Sequence, residues 1–429
     1  MNGIPYQEAR RQAVAVIESL RAGIPTRAST RALPDLRPNL KRMVQGDFEA
    51  FQSGRQVPPG RLLWGQYGQG KTHALTAIEH LALDHGFAIS RVSLSREVSL
   101  HNLFHFYRRV APIVRLPDSQ APGILGPLNR RRRSELEGSP ILEPGRYSHP
   151  LPAIVLQDLL AARDSEDQAN LYGDLMGNRI PLGELRHLHK QTRQEPLPKF
   201  EENFRAARHA AAYLGLMADA IRFCGYRGWV LLIDEAELIG RLGRASRMRA
   251  YLNLNFLLGW SAAIPYPIYT IAAVASRLQD DLWHGKIGSS RTDPVLLPQL
   301  AQEKCGQTES RALSHFFQQA MDPAQCPTVR PLREEDLLLL LERVRQLHAD
   351  AYVWPAELDL PELIASIGEQ PVRTHLRAAL EALDVKRAAG ETIHPQAVGL
   401  VDSSWREVQQ DAGEESKEEP AEPIRESEE

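Results

Sequence analysis

Hydrophobic positions in this chain follow two alternating patterns. Helical spacing over Glu8–Arg21 and Asn39–Phe51 predicts two amphipathic helices, and the breaker run Val57-Pro58-Pro59-Gly60 closes that opening stretch. Arg61–Trp64 and Phe87–Ser95 read as strands, the unbroken apolar run Trp229–Ile233 and the similar Ile268–Ala275 predict buried strands, and a short last strand is expected near Pro327–Leu332. Between them helical patterns return over Thr72–Leu83, Leu100–Val114 and residues 151–215, broken near Gly173, Gly177 and Pro181. Phe204–Phe223 reads as one long alanine-rich helix, and Glu334–Ala351, Leu360–Ile367 and Pro371–Lys386 as a closing helical group. Apolar strands alternating with helices predict a parallel sheet covered on both faces, hence a three-layer α/β core of about five strands. No internal repeat is present.

These patterns divide the chain into a helical preface over 1–60, a core over 61–332, a helical lid over 333–400 and a tail over 401–429. Within the core, an insertion spans about residues 116–200, and its first part, 116–150, is rich in Pro, Gly and Arg and reads as loop or partly disordered. Hydrophobic content of 43% in 429 residues suffices for a sizeable core. No apolar run is long enough to predict a membrane span, and the N-terminal stretch carries charges within its apolar periodicity, unlike a signal peptide. Cys224, Cys305 and Cys326 form neither a metal-type spacing nor a disulfide framework, which points to a reducing cytoplasm. Residues 411–429 hold nine acids and two bases, so the net charge of −3 hides a body of about +4 and an acidic tail expected to be disordered.

The candidate chemistry sits at strand ends. Gly65-Gln66-Tyr67-Gly68-Gln69-Gly70-Lys71-Thr72 fits G-x-x-x-x-G-K-[ST], between a predicted strand and a predicted helix. Its glycines allow a tight turn that points N–H groups at phosphate oxygens, and the helix dipole adds to that field. Lys71 would reach the β- and γ-phosphates of ATP, and Thr72 would hold Mg²⁺. Asp234-Glu235 ends the Trp229–Ile233 run: Asp234 would bind the Mg²⁺ or its water shell, and Glu235 would polarise the attacking water. Ser276, at the tip of the Ile268–Ala275 strand, is the candidate γ-phosphate sensor. Arg373 is the candidate lid arginine, with Arg377 in reserve; Arg277, Arg291 and Arg311 are candidates to act in trans. Two basic features, Arg130–Arg133 and the group Arg241, Arg244, Arg247 and Arg249, suit phosphate backbones or a solvated face.

With these motifs the chain resembles AAA+-type ATPases of the origin-recognition and Cdc6-like branch, and more narrowly the ATP-binding proteins of BREX phage-defence systems. The resemblance is carried by Val16–Pro25, by Gly65–Thr72 with His73 following, by Phe87–Ser95, Leu232–Glu237, Arg247–Leu254 and Pro371–Asp384. Tyr67 and His73, with the preface, narrow it. The chain departs from the pattern in that Lys71 and Asp234 are 163 positions apart, and in having no winged helix after the lid. The resemblance implies a P-loop ATPase acting with other defence-system proteins on DNA, directly or through a partner, with homo-oligomerisation left open. A nucleotide-binding scaffold or switch that hardly turns over is the alternative. A helicase would need a second RecA-like domain.

Overall fold

In a computed structural model the described residues are 3–23, 26–52, 57–260, 265–284 and 292–393. The expected acidic tail and Arg291 lie outside them.

Three helices open the chain: α1 (Gly3–Ala22), α2 (Arg27–Ala32) and α3 (Pro38–Gln52). Strand β1 (Arg61–Gly65) leads through the glycine-rich loop into α4 (Lys71–Asp84), then β2 (Ala88–Ser93) and α5 (Leu103–Val110). The insertion contains α6 (Leu125–Leu128), α7 (Leu151–Ala161), α8 (Ser165–Leu175) and α9 (Leu182–Arg193), and α10 (Ala206–Phe223) leads back to the sheet. There follow β3 (Trp229–Asp234), α11 (Arg244–Leu258), β4 (Ile268–Ala275), α12 (Asp293–Lys304), α13 (Gln307–Gln319) and β5 (Thr328–Val329). The C-terminal helices are α14 (Glu334–Tyr352), α15 (Leu360–Ile367) and α16 (Val372–Ala389).

The five strands form one parallel sheet in the order β2-β3-β4-β1-β5. Alternate residues serve opposite faces, as a pleated strand requires. Leu63, Ile89, Val230, Leu232, Ile271 and Ala273 meet α3 and α4 through Val44, Phe48, Leu75 and Ile78. Leu62, Trp64, Trp229, Leu231, Ile233 and Val274 point the other way, into a larger core shared with α5, α10, α11 and α13. Both faces are covered, so β3 and β4 are buried along their whole length, and the expected three-layer α/β arrangement is present.

Two expectations need correction. Residues 116–150 are irregular, as expected, but not disordered: Leu116, Ile124, Leu128, Leu136 and Ile141 are buried in that same core. Their sparse apolar residues each find a pocket, which composition alone does not reveal. The helix expected over Leu100–Val114 is only α5, because Asn102 caps its start by accepting from His105 N–H, and Pro112 follows its end. Helices α2, α12 and α13 were not anticipated.

Helix α1 packs on the C-terminal helices, where Ala13, Val16, Ile17 and Leu20 meet Val344, Leu347 and Leu380. Arg21 clamps this contact, donating to Asp384 at 2.6 and 2.8 Å and to Tyr352 Oη at 2.9 Å. His348 also binds Asp384, at 3.0 Å. Among the described residues, no helix is long and apolar enough to cross a membrane.

Candidate functional site

The carboxyl ends of β1, β3 and β4 converge on one region because the sheet is parallel. Leaving β1, the chain turns through Gly68 (φ 76°) and Gly70 (φ 88°), both in the left-handed region that favours glycine. Gly68 also has no room for a side chain: a Cβ there would lie 2.8 Å from Pro371, just before α16. Lys71 begins α4 and is 8% exposed. Its ammonium donates to the carbonyls of Gly65 at 3.0 Å and Gln66 at 3.1 Å. Burial pulls its pKa down, opposed by Glu237, Asp234 and Glu235.

Asp234 closes β3 and is 3% exposed. Glu235 follows with φ 56°, the left-handed region, where a non-glycine residue stores strain. Burial raises the Glu235 carboxyl, and the charges of Asp234 and Glu237 raise it further. Three carboxylates, Asp234, Glu235 and Glu237, thus act on one lysine. Among the described residues no three acidic, His or Cys side chains form a metal cage. Magnesium is usually held by one or two carboxylates with phosphates and waters, so Thr72 and Asp234 fit that role.

A cavity of about 550 Å³ opens beside these groups. Of the candidates, Tyr67, Gly68, Gln69, Gly70, Lys71, Thr72, His73, Asp234, Glu235 and Arg373 line it. Tyr67 is 69% exposed and stands at the edge. His73 stays neutral more readily than a free imidazole, through burial and the nearby Arg37. Arg373 lies against the end of α1, so that a Cβ on Gly23 would fall 2.5 Å from its Nε, an atom that is buried with no hydrogen-bond partner. Gly65 and Gln66 act through their carbonyls and are not among the lining residues, and neither is Ser276. Ser276 is nevertheless adjacent, its N–H donating to Gly65 O at 3.1 Å. Of the other arginines, Arg277 pairs with Asp281 at 3.2 Å, while Arg311 and Arg377 are exposed.

Two parts of the site were not anticipated. The first is the wall supplied by residues within 19–23 and 29–41, with Leu33, Leu36, Arg37 and Leu40 facing α4 and the C-terminal Leu340 and Leu376. Arg37 donates to Arg330 O at 2.6 Å and to the Gln69 carbonyl of the glycine-rich loop at 3.4 Å. The second is Arg91 on β2, which donates to Asp234 at 3.3 Å, to Thr76 Oγ1 at 2.6 Å and to Thr72 O at 3.2 Å. Arg91 also lies 3.6 Å from Glu79, a buried acid that pairs with Arg27 at 2.8 Å and with Arg115. The signal was legible: Glu79 sits on the apolar face of α4, between Leu75 and Ala82, where an unpaired acid is not tolerated.

No curated protein and no solved structure matches the chain. The matched stretch runs from within α1 to the start of α6, includes the glycine-rich loop before Lys71 and ends before β3, so Asp234 and Glu235 lie beyond it. Over residues 9–126 the chain matches the family described as BREX system ATP-binding protein BrxC/D, which bears out the resemblance to ATP-binding proteins of BREX phage defence.

Proposed function

We propose that this chain is a Mg²⁺-dependent ATPase of the AAA+ type, working in the cytoplasm within a BREX phage-defence assembly. One observation carries the reading: the P-loop, the Asp234-Glu235 pair and Arg373 border a single cavity, although they lie in β1–α4, β3 and α16. The strand order supports it, since β4 lies between β1 and β3 and leaves Ser276 beside the P-loop.

In this reading the P-loop N–H groups and Lys71 bind the β- and γ-phosphates of ATP. Thr72 and Asp234 would hold Mg²⁺, which would neutralise charge on those phosphates. Glu235 orients a water and takes its proton; its raised pKa makes it the stronger base. Arg373 brings a cation from the C-terminal helices, and Ser276 senses the γ-phosphate from β4. The partners are other defence-system proteins, with DNA met directly or through one of them, and a homo-oligomer would let an arginine act in trans.

The Arg91–Asp234 contact favours a second reading, a nucleotide-dependent switch with little turnover. A guanidinium on Asp234 competes with the metal until a partner or a ligand withdraws it. Single-turnover hydrolysis with and without candidate partners separates the two.

The nucleotide assignment is tested by equilibrium binding of a fluorescent ATP analogue. Lys71→Ala should abolish binding in a protein with the parent's melting profile, because it removes the cation at the phosphate end. Unchanged affinity refutes the assignment.

A further inference from the structure

The cavity contains polar groups for which phosphate chemistry has no use. It follows one face of α4 from Lys71 through Ala74, Ala77 and Ile78 to His80 and Leu81. Lys71 and His80 are nine positions apart in the sequence, so the two ends are separated by about 13 Å along the helix axis. Lys71 and the acids mark the phosphate end. Away from it, Leu33, Leu36, Leu40, Leu340 and Leu376 make an apolar slot suited to a flat aromatic ring.

Thr30 of α2 and His80 of α4 also line this cavity. His80 is 7% exposed, and neither of its ring nitrogens has a hydrogen-bond partner. Thr30 Oγ1 is likewise buried and unpartnered. The neighbouring hydroxyl shows the contrast, since Ser29 Oγ donates to Thr26 O at 2.9 Å within the α2 cap. Buried polar atoms are costly without partners, and a ligand group in the adjoining cavity would supply one.

We propose that Thr30 and His80 are specificity residues that read the edge of the adenine base. The inference rests on the nucleotide reading of the same cavity and deepens it. Adenine presents an exocyclic amine beside a ring nitrogen, one donor next to one acceptor. The bare nitrogen of a neutral imidazole accepts from the amine, and the Thr30 hydroxyl donates to the ring nitrogen. Burial lowers the His80 pKa, Arg31 and Arg27 of α2 lower it further, and Glu79 and Asp84 oppose them, so the ring is neutral at physiological pH.

The test compares ATP with inorganic tripolyphosphate, which has the phosphates but no base, on the full chain. Parent, Thr30→Val, His80→Leu and His80→Gln proteins are titrated with both in the presence of Mg²⁺. Thr30→Val and His80→Leu should each weaken ATP by about tenfold while leaving tripolyphosphate unchanged. His80→Gln, which keeps a donor and an acceptor, should recover most of the loss. His80→Leu should melt no lower than the parent, because it removes buried polar atoms that have no partner in the protein. Unchanged ATP affinity in both variants overturns the proposal, as does an equal loss of ATP and tripolyphosphate. A parent that binds neither ligand overturns the nucleotide reading itself, a result separate from failure of the base contact alone.

Discussion

Glu79→Gln removes one charge from the most heavily paired carboxylate near the site and keeps its shape. The Glu79 side chain is 6% exposed and faces three arginines, Arg27, Arg91 and Arg115. Stranding the partners of a buried ion pair costs about 3–5 kcal/mol. The arginines set a lower figure here, because Arg27 and Arg115 are 41% and 37% exposed and can turn to water, while Arg91 at 23% is held between β2 and α4. The expected loss is about 2 kcal/mol, since exposed pairs contribute only about 0–1 kcal/mol each. With Glu79 neutral, Asp234 becomes the carboxylate that holds Arg91, so ATP binding should require more Mg²⁺. Urea unfolding of the parent, Glu79→Gln, Arg91→Met and the double variant, at low and high salt, measures the stability and the coupling. A loss below about 0.5 kcal/mol that vanishes at high salt would show Glu79 to be an ordinary surface acid and refute the argument.

Glu235→Gln should bind ATP and lose hydrolysis by about 10²–10⁴-fold. It should also melt higher than the parent at neutral pH: the folded chain raises the Glu235 pKa, so the ionised form costs stability above that pKa and the cost disappears on acidification. A gain that persists below the usual carboxylate range would rule out that cause. Val353 holds φ 55° at the end of α14 and is 56% exposed, so Val353→Gly should stabilise the chain by about 0.5–1 kcal/mol in urea unfolding, and a loss would show that its side chain packs. Arg131 pairs with Glu135 at 3.3 Å and lies over Phe223, leaving Arg130, Arg132 and Arg133 as the exposed cations of that cluster. Replacing those three with Ala should weaken any DNA binding equally for every sequence and flatten its salt dependence, read by anisotropy at two salt concentrations; a sequence-dependent loss would point to base contacts instead.

The apolar strand runs, the breaker before β1 and the glycine spacing of the loop before α4 were sufficient to place β1–α4, β3, β4 and the closing helices. Each is a local pattern whose period or turn chemistry needs no distant partner. What the sequence could not show was which parts meet. Pairing of β4 with both β1 and β3 seats Ser276 beside Gly65. The wall over residues 19–23 and 29–41 exists because α1 packs on α14 and α16 while α2 packs on α4, so both walls close on one slot. Arg91 reaches Asp234, 143 positions later, because β2 and β3 are neighbouring strands. The loop-like stretch 116–150 is ordered for a similar reason: few of its residues are apolar, but the core beside the sheet has room for those few. Periodicity fixes which face of an element is buried, but only the packed chain decides what lies against that face, and so which charges are paired and which polar groups are left for a ligand.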